Sequence, residues 1–292
     1  MDSRFLQSFV SVVELGSIAE AARQLDLSTA TIAQRLRVLE AELGNKLIVR
    51  SGRTVVPTVA GTRILERAHV ILRDVRDLES AATDTDLPSG PLRLGATPTG
   101  LTGIVPAVLE QWVEVHPDIN IFIEPSSTTT LYGRLLGDEL DAAVLVHPMF
   151  ALPKTCNWCA LRREKLILVT PADMKVKDAL DVIRHEPYIR LDRQVIAGKM
   201  ADDYLRRHGI RPRQRVELDG IEYIARLVAQ GLGVSVLPDW AVLGPADTTL
   251  RRWALPGPVP TRTVGVMWQR STIRAPLAEA FVTLARQRFN VR

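Results

Sequence analysis

Ser28-Thr29-Ala30-Thr31-Ile32-Ala33-Gln34-Arg35-Leu36-Arg37 is a stretch whose residue types are suited to reading a surface rather than cleaving a bond. No charged residue lies between Asp26 and Arg35, so Ser28, Thr29, Ala30, Thr31, Ala33 and Gln34 make a small, polar, uncharged set. Such a set fits the floor of a DNA major groove, where amides and hydroxyls meet base edges. Gln34 has the two-pronged amide that pairs with adenine, and the methyl groups of Ala30 and Thr31 suit the thymine methyl. Arg35 and Arg37, and beyond them Arg50 and Arg53, supply phosphate contacts, the sequence-independent part of affinity. From Gln34 to Arg63, six basic residues stand against only Glu40 and Glu42.

Two hydroxyl-rich segments offer a different chemistry. Thr97-Pro98-Thr99 and Ser126-Ser127-Thr128-Thr129-Thr130 each follow an apolar strand pattern and precede a helical one. Hydroxyls beside free helix N–H groups form a cradle for an anion or carboxylate. Arg193, after another strand pattern, is the cationic candidate from the later part of the chain. Each of these residues also has a plain reading, as a helix cap or a solvated charge.

Cys156 and Cys159 form a lone CxxC in a segment bounded by Pro148 and Pro153, read as a loop. A zinc site needs four ligands, and His147 is the nearest histidine with no evident fourth partner. The cysteines are therefore expected to be reduced and incidental, and the five scattered histidines to be structural. No metal or cofactor is expected. Enzyme motifs fail on specifics: Gly95 to Gly100 lacks the Gly-Lys-Ser/Thr ending of a phosphate loop. Gly231-Leu232-Gly233 follows a helix and precedes a strand, the reverse of a dinucleotide turn. No nucleophile elbow or paired-histidine metal motif is present, so the chain is not read as an enzyme.

The elements that must position these groups follow from periodicity. Ile18–Leu25 reads as a short helix rich in alanine (Ala19, Ala21, Ala22), and Asp26-Leu27-Ser28 as a turn ending in an N-cap. Ile32, Leu36, Leu39 and Leu43 make one apolar stripe on the second helix. Lys46–Pro57 reads as a hairpin with Ser51-Gly52 at its tip. Phe9, Gly16-Ser17, Ala21-Ala22, Leu25, Ser28, Leu36, Leu39-Glu40, Leu43-Gly44, Leu47, Arg50, Thr58 and Gly61 together resemble the winged helix-turn-helix of LysR-type transcriptional regulators. Within that resemblance Thr29 and Ala30 replace a frequent Gln-Pro or Gln-Ser. Ala33 stands where Ser is usual, and Gln34 where Arg or Lys is common, which bears on the operator sequence.

After the hairpin, Thr58 can cap a helix in which Ile64, Ala68, Ile71, Val75, Leu78 and Ala82 form a heptad seam, with Arg63, Arg67, Arg73, Asp74, Arg76, Asp77 and Glu79 outside it. A seam this long needs a partner, and the resemblance makes it the linker helix that builds a homodimer or homotetramer. Asp84–Pro91 breaks the periodicity and marks a domain boundary. Beyond it, short apolar strands alternate with amphipathic helices: strands at 92–96, 119–123, 142–146, 165–170, 188–191, 216–218, 234–237 and 263–269, and helices at 102–115, 131–137, 175–184, 199–207, 221–230 and 275–289. That alternation predicts an α/β domain with largely parallel sheets.

The expected fold is therefore α+β multidomain: a winged helix-turn-helix at 1–58, a linker helix and hinge at 59–90, and an effector-binding domain at 91–292. The resemblance implies that this domain has two α/β lobes like a periplasmic binding protein, lobe one about 91–162 with 268–292 and lobe two about 163–267. Ligands of such sheets lie beyond the C-terminal strand ends, which gives Thr97, Thr99, Ser126, Ser127, Thr128 and Arg193 as effector candidates.

With 292 residues, 46% hydrophobic and 24% charged, the composition is that of a globular multidomain protein, and a net charge of +4 permits nucleic-acid binding without requiring it. No apolar run spans a membrane and the N-terminus lacks a signal-peptide plan, which predicts a cytoplasmic protein. The reading is a sequence-specific regulator of double-stranded operator DNA, modulated by a small molecule such as a carboxylate. The competing reading is a small-molecule-binding protein with an incidental helical N-terminus. Replacing Gln34 and Arg53 by alanine separates the two.

Overall fold

A computed structural model describes residues 1–52, 54–82, 87–88, 90–240 and 249–290, in two units, Met1–Gly90 and Pro91–Arg292. Arg53, half of the 84–91 boundary segment and the last two residues lie outside the described residues.

Each short helix of the first unit is defined by its caps. Helix α1 (Ser3–Leu15) starts on the Asp2 carboxylate, which accepts from the Arg4 N–H, and ends at Gly16 in the left-handed region. Helix α2 (Ile18–Gln24) starts on Ser17, and helix α3 (Thr29–Leu43) on Ser28, whose hydroxyl accepts from the Thr31 N–H at 3.0 Å. Ala21 and Ala22 are buried, so α1, α2 and α3 close around Phe9, Val12, Ile32, Leu36 and Leu39. Leu43 does not join them: it is 39% exposed, because the helix stops at Gly44 before a further turn can cover it. Strands β1 (Ile48–Ser51) and β2 (Thr54–Pro57) pair antiparallel. The Val55 N–H donates to the Gly16 carbonyl at 2.8 Å, tying the hairpin to the end of α1.

Helix α4 (Val59–Ala81) begins where the Thr58 hydroxyl accepts from the Gly61 N–H at 3.0 Å. Ala68 is buried and Ile64, Ile71 and Val75 are half-buried, while Leu78 is 69% exposed. Arg73 and Asp77, expected on the solvent side, are buried. Spacing located the apolar seam but not the polar residues that would be enclosed with it.

Glu40, like Asp77, is a buried carboxylate of this unit. It accepts from the Leu47 N–H at 2.9 Å and from Lys46 Nζ at 2.7 Å. Burial pushes its pKa up, but Lys46 and the backbone N–H groups outweigh burial and hold it below the usual value of 4.5. A depressed folded pKa gives stability that is complete above the unfolded value and lost as pH falls through the folded one. Glu40→Gln is therefore expected to be less stable than wild type at about pH 7, with the gap closing below about pH 4. Urea unfolding across that range checks this, and a gap that widens in acid would refute it.

The second unit runs β3 (Leu92–Ala96), α5 (Pro98–Gly103), α6 (Val105–Val115), β4 (Ile121–Pro125), α7 (Thr128–Leu136), β5 (Ala142–Val146), β6 (Cys156–Pro171), α8 (Ala179–His185), β7 (Pro187–Leu191), α9 (Ile196–Arg207), β8 (Arg213–Leu218), α10 (Ile221–Ala229), β9 (Ser235–Pro238), β10 (Leu250–Ala254), β11 (Thr261–Gln269) and α11 (Ala275–Arg288). The helix expected at 102–115 is two helices. Ile104 leaves helical geometry at φ −129°, and Pro106 has no N–H to continue the ladder.

The sheets are mixed rather than largely parallel. β3 pairs parallel with β4 and β5, and β7 parallel with β8. β6 and β11 pair antiparallel with each other, β11 with β5, and β6 with β9 and β10. Strand β6 is 16 residues long, and β11 lies against its first ten positions. These are the two crossover strands between lobe one, which carries β3–β5, and lobe two, which carries β7–β10. Cys156 and Cys159 sit in β6, not in a loop, and both are free and buried. Three residues apart on a strand, they point to opposite faces roughly 10 Å apart, too far for a disulfide. Burial pushes the Cys156 thiol pKa up, against the Thr155 hydroxyl.

Candidate nucleic-acid interface and ligand cavity

The N-terminal turns of α3 are held by Ser28, whose hydroxyl also lies 2.8 Å from Thr31 Oγ1. Ser28, Thr29, Ala30, Gln34 and Arg37 are exposed, and Thr31, Ala33 and Arg35 are half-buried. Gln34 has no intrachain hydrogen bond among the described residues, so its amide is available to a partner. Arg35 leans back toward α1, with Nη1 3.4 Å from Ser8 Oγ, and Arg37 Nε donates to the Ala33 carbonyl at 3.2 Å. Arg50 is exposed on β1. The face thus presents uncharged groups at the helix start, with a cation on the neighbouring hairpin.

In the second unit, a cavity of about 370 Å³ is lined by Thr97, Pro98, Thr99, Ser127, Thr128, Thr129 and Val146 from lobe one and by Leu191, Asp192, Gln194, Val195, Ile196, Ala197, Asp219, Gly220 and Ile221 from lobe two, with Arg262 from β11. The loops before α5, α7, α9 and α10 all contribute. Thr97 caps α5 and Ser127 caps α7 through hydroxyls that accept backbone N–H groups. Helices α9 and α10 have no side-chain cap, so their first N–H groups have no side-chain acceptor at the cavity wall. Oriented peptide dipoles at such ends favour negative charge.

The candidates Thr97, Thr99, Ser127 and Thr128 line this cavity; Ser126 and Arg193 do not. The Ser126 N–H donates to the Ala96 carbonyl. Arg193 makes a forked pair with Glu217, Nε to Oε1 at 2.9 Å and Nη2 to Oε2 at 3.0 Å, and holds the Glu217 pKa below its usual value. The lobe-two cation was sought at a strand end, but the arginine at the cavity is Arg262 on a crossover strand. It is 6% exposed and lies directly across from Glu164 in the β11–β6 register. Its Nε donates to Glu164 Oε2 at 2.7 Å, its Nη2 stands 2.7 Å from the same oxygen in an ion pair, and Nη2 donates to Thr99 Oγ1 at 3.4 Å. Burial pushes its pKa down, opposed chiefly by Glu164. No local pattern marks Arg262; only the register of two strands about a hundred residues apart brings it to Glu164. A hydrogen bond also joins the lobes, from Thr102 Oγ1 on α5 to Glu222 Oε1 on α10 at 2.7 Å.

Comparison with known families agrees with this layout. Residues 3–62 match the family described as bacterial regulatory helix-turn-helix protein, lysR family, and residues 85–290 match the LysR substrate binding domain. The chain belongs to the LysR family. It is a DNA-binding transcriptional regulator with an effector-binding domain. It is similar to the HTH-type transcriptional regulator CzcR of Bacillus subtilis, 28% identical over 244 residues, which covers 83% of this chain and 82% of that one. GltR of the same organism is 23% identical over 297 residues, covering 100% and 98%. Among solved structures, a full-length OxyR of Pseudomonas aeruginosa superimposes with a TM-score of 0.69 at 26% identity, covering 98% of this chain and 95% of that one. CbnR in complex with its target DNA superimposes with a TM-score of 0.68 at 21% identity, covering 99% and 100%, a likeness of fold. Among the described residues no helix is long and apolar enough to cross a membrane.

Proposed function

We propose that this LysR-family regulator acts in the cytoplasm, without catalysis, by reading a double-stranded operator through α3 and the hairpin. Ser28, Thr29, Ala30, Thr31, Ala33 and Gln34 meet the major groove, while Arg35, Arg37, Arg50 and Arg53 take phosphates. The observation that carries the reading is the exposed, uncharged start of α3, with an unengaged Gln34 amide beside a basic hairpin. The chain works as a homo-oligomer, dimer or tetramer, in which α4 pairs with its counterpart; the exposure of Leu78 on the apolar seam supports this. CbnR, of similar fold, has been captured on its target DNA. A small carboxylate in the interlobe cavity, held by Thr97, Thr99, Ser127 and Thr128, favours one lobe arrangement and so shifts the population that fits the operator.

Binding to the DNA upstream of its own gene, across a salt series and against scrambled competitor, tests this reading. Gln34→Ala is expected to cost about 1–3 kcal/mol of preference for the specific site and to spare scrambled DNA. Arg50→Ala is expected to weaken both alike and to lower the salt slope by about 1. Equal loss on both DNAs from Gln34→Ala would mean that α3 does not read sequence.

A further inference from the structure

Arg262 is the only basic side chain lining the cavity among the described residues. Its partner Glu164 is shared: Arg162 Nη2 stands 3.5 Å from Glu164 Oε1, while Arg262 holds Oε2. Two guanidinium groups around one carboxylate leave one surplus positive charge in a poorly solvated place. Arg162 keeps contact with solvent and Arg262 is buried, so an opposite charge brought by a ligand would offset the part of the surplus that water does not reach. A guanidinium has five N–H donors, and Nη1 of Arg262 makes no hydrogen bond among the described residues. Around the same cavity the Thr128 and Thr129 hydroxyls make none either, and the Thr99 hydroxyl has only its long contact to Arg262.

The lobe-two wall has the opposite character. Asp192 and Asp219 follow Leu191 and Leu218, which are direct partners in the β7–β8 pair, so the two residues are neighbours at the cavity wall, Asp192 half-buried and Asp219 exposed. Asp192 Oδ1 accepts from the Gln194 N–H at 2.9 Å, and Asp219 Oδ1 from the Gly220 N–H at 2.7 Å. Those bonds use one oxygen of each group and leave the negative charge of both. An anionic group is therefore welcome beside Arg262 and repelled beside the two aspartates. A cavity of about 370 Å³ admits a single-ring or short-chain compound, at the low end of small-molecule sites.

We propose that Arg262 is the residue that selects the effector: it takes a single carboxylate, and the far end of the ligand, toward Asp192 and Asp219, is uncharged or a hydrogen-bond donor. This rests on reading the cavity as the effector site. The ligand then pulls on an arginine of the crossover strands, which both lobes share.

The test uses thermal unfolding of the full-length protein with benzoate, benzamide and terephthalate, and with hexanoate, hexanamide and adipate, each at about 20 mM. At least one monocarboxylate is expected to raise the midpoint by several degrees, with its amide and dicarboxylate counterparts nearly inert. The effect is expected to vanish in Arg262→Gln/Glu164→Gln, which removes both charges of the pair together. Should that variant fail to fold, Arg262→Lys keeps the charge without the fork and is expected to bind about tenfold more weakly. Thr128→Trp, which fills the cavity, keeps the two claims apart. A shift lost in Thr128→Trp but retained without Arg262 overturns this inference and leaves the cavity as the effector site. A shift retained in both places the ligand elsewhere and removes the reading beneath it. A panel that stabilises only through amides or dicarboxylates, or not at all, also overturns the inference.

Discussion

Gly61→Ala is expected to destabilise the N-terminal unit by about 2–3 kcal/mol and to cost most specific operator binding at physiological temperature. A Cβ on Gly61 would stand 2.1 Å from the Leu47 carbonyl oxygen, a contact that backbone cannot relieve by a rotamer change. That carbonyl is already committed, since it accepts from the Thr58 N–H at 2.9 Å. The Thr58 hydroxyl bridges the same junction, donating to the Lys46 carbonyl at 2.7 Å and accepting from Gly61. Moving α4 away to make room would break the links that seat the hairpin, and with them the placement of Arg50 relative to α3. Urea unfolding of the variant and a footprint on the operator would show the loss together. Unchanged stability would mean that α4 does not pack on Leu47 as described.

Arg274→Met is expected to destabilise the effector-binding unit by about 3–5 kcal/mol, the cost of leaving one partner of a buried ion pair alone. Arg274 precedes α11, and its Nε donates to Asp141 Oδ1 at 2.8 Å with both side chains buried. Its Nη2 donates to the Pro91 carbonyl at 2.6 Å, while Asp141 Oδ2 accepts from the Arg93 N–H at 2.8 Å. One guanidinium therefore ties the C-terminal helix to the start of β3 and the start of β5, closing lobe one. Removing it strands the Asp141 charge among Leu92, Ala142 and Ala143, all buried. The double variant Arg274→Met/Asp141→Leu is expected to recover part of the loss, because the Asp141 charge is removed together with its partner. Calorimetric unfolding of the wild type and both variants measures this. A double variant no better than the single one would show that the pair's hydrogen bonds, rather than its charge, carry the stability.

Much of the first unit was legible because its signals are local. Ser28 sits one residue before a helix and caps it, Gly44 ends that helix in the left-handed region, and Ile32, Leu36 and Leu39 repeat at helical spacing and are buried. The hairpin was readable from Gly52 and two β-rich tetrads, although Ser51, expected at the tip, ends the first strand opposite Thr54. Helix α1 carries the same kind of local signal, caps at Asp2 and Gly16 and the helical spacing of Leu6, Phe9 and Val10, all buried. Leu43 shows the limit of periodicity: the pattern continues, but the surface it would pack on does not.

In the second unit, the order of elements other than β10 and the separate α5, and the end of the sheet, were determined by the sequence alone. Alternating strand and helix patterns put Thr97, Thr99, Ser127 and Thr128 after strand ends, and the structure brings those four to one cavity. Tertiary structure decided what lies across from them. β6 keeps no strict alternation of buried and exposed positions over its first half, where Cys156 and Cys159 are both buried and the CxxC segment read as loop, and it is a strand because β11 hydrogen-bonds along it. Once that register is set, Arg262 meets Glu164, and Arg193, the plausible cation by position, meets Glu217 instead. A helix or a cap is a contract among residues within a few positions and can be read along the chain. Which charge faces which across paired strands depends on register over about a hundred residues, which only the packed whole specifies.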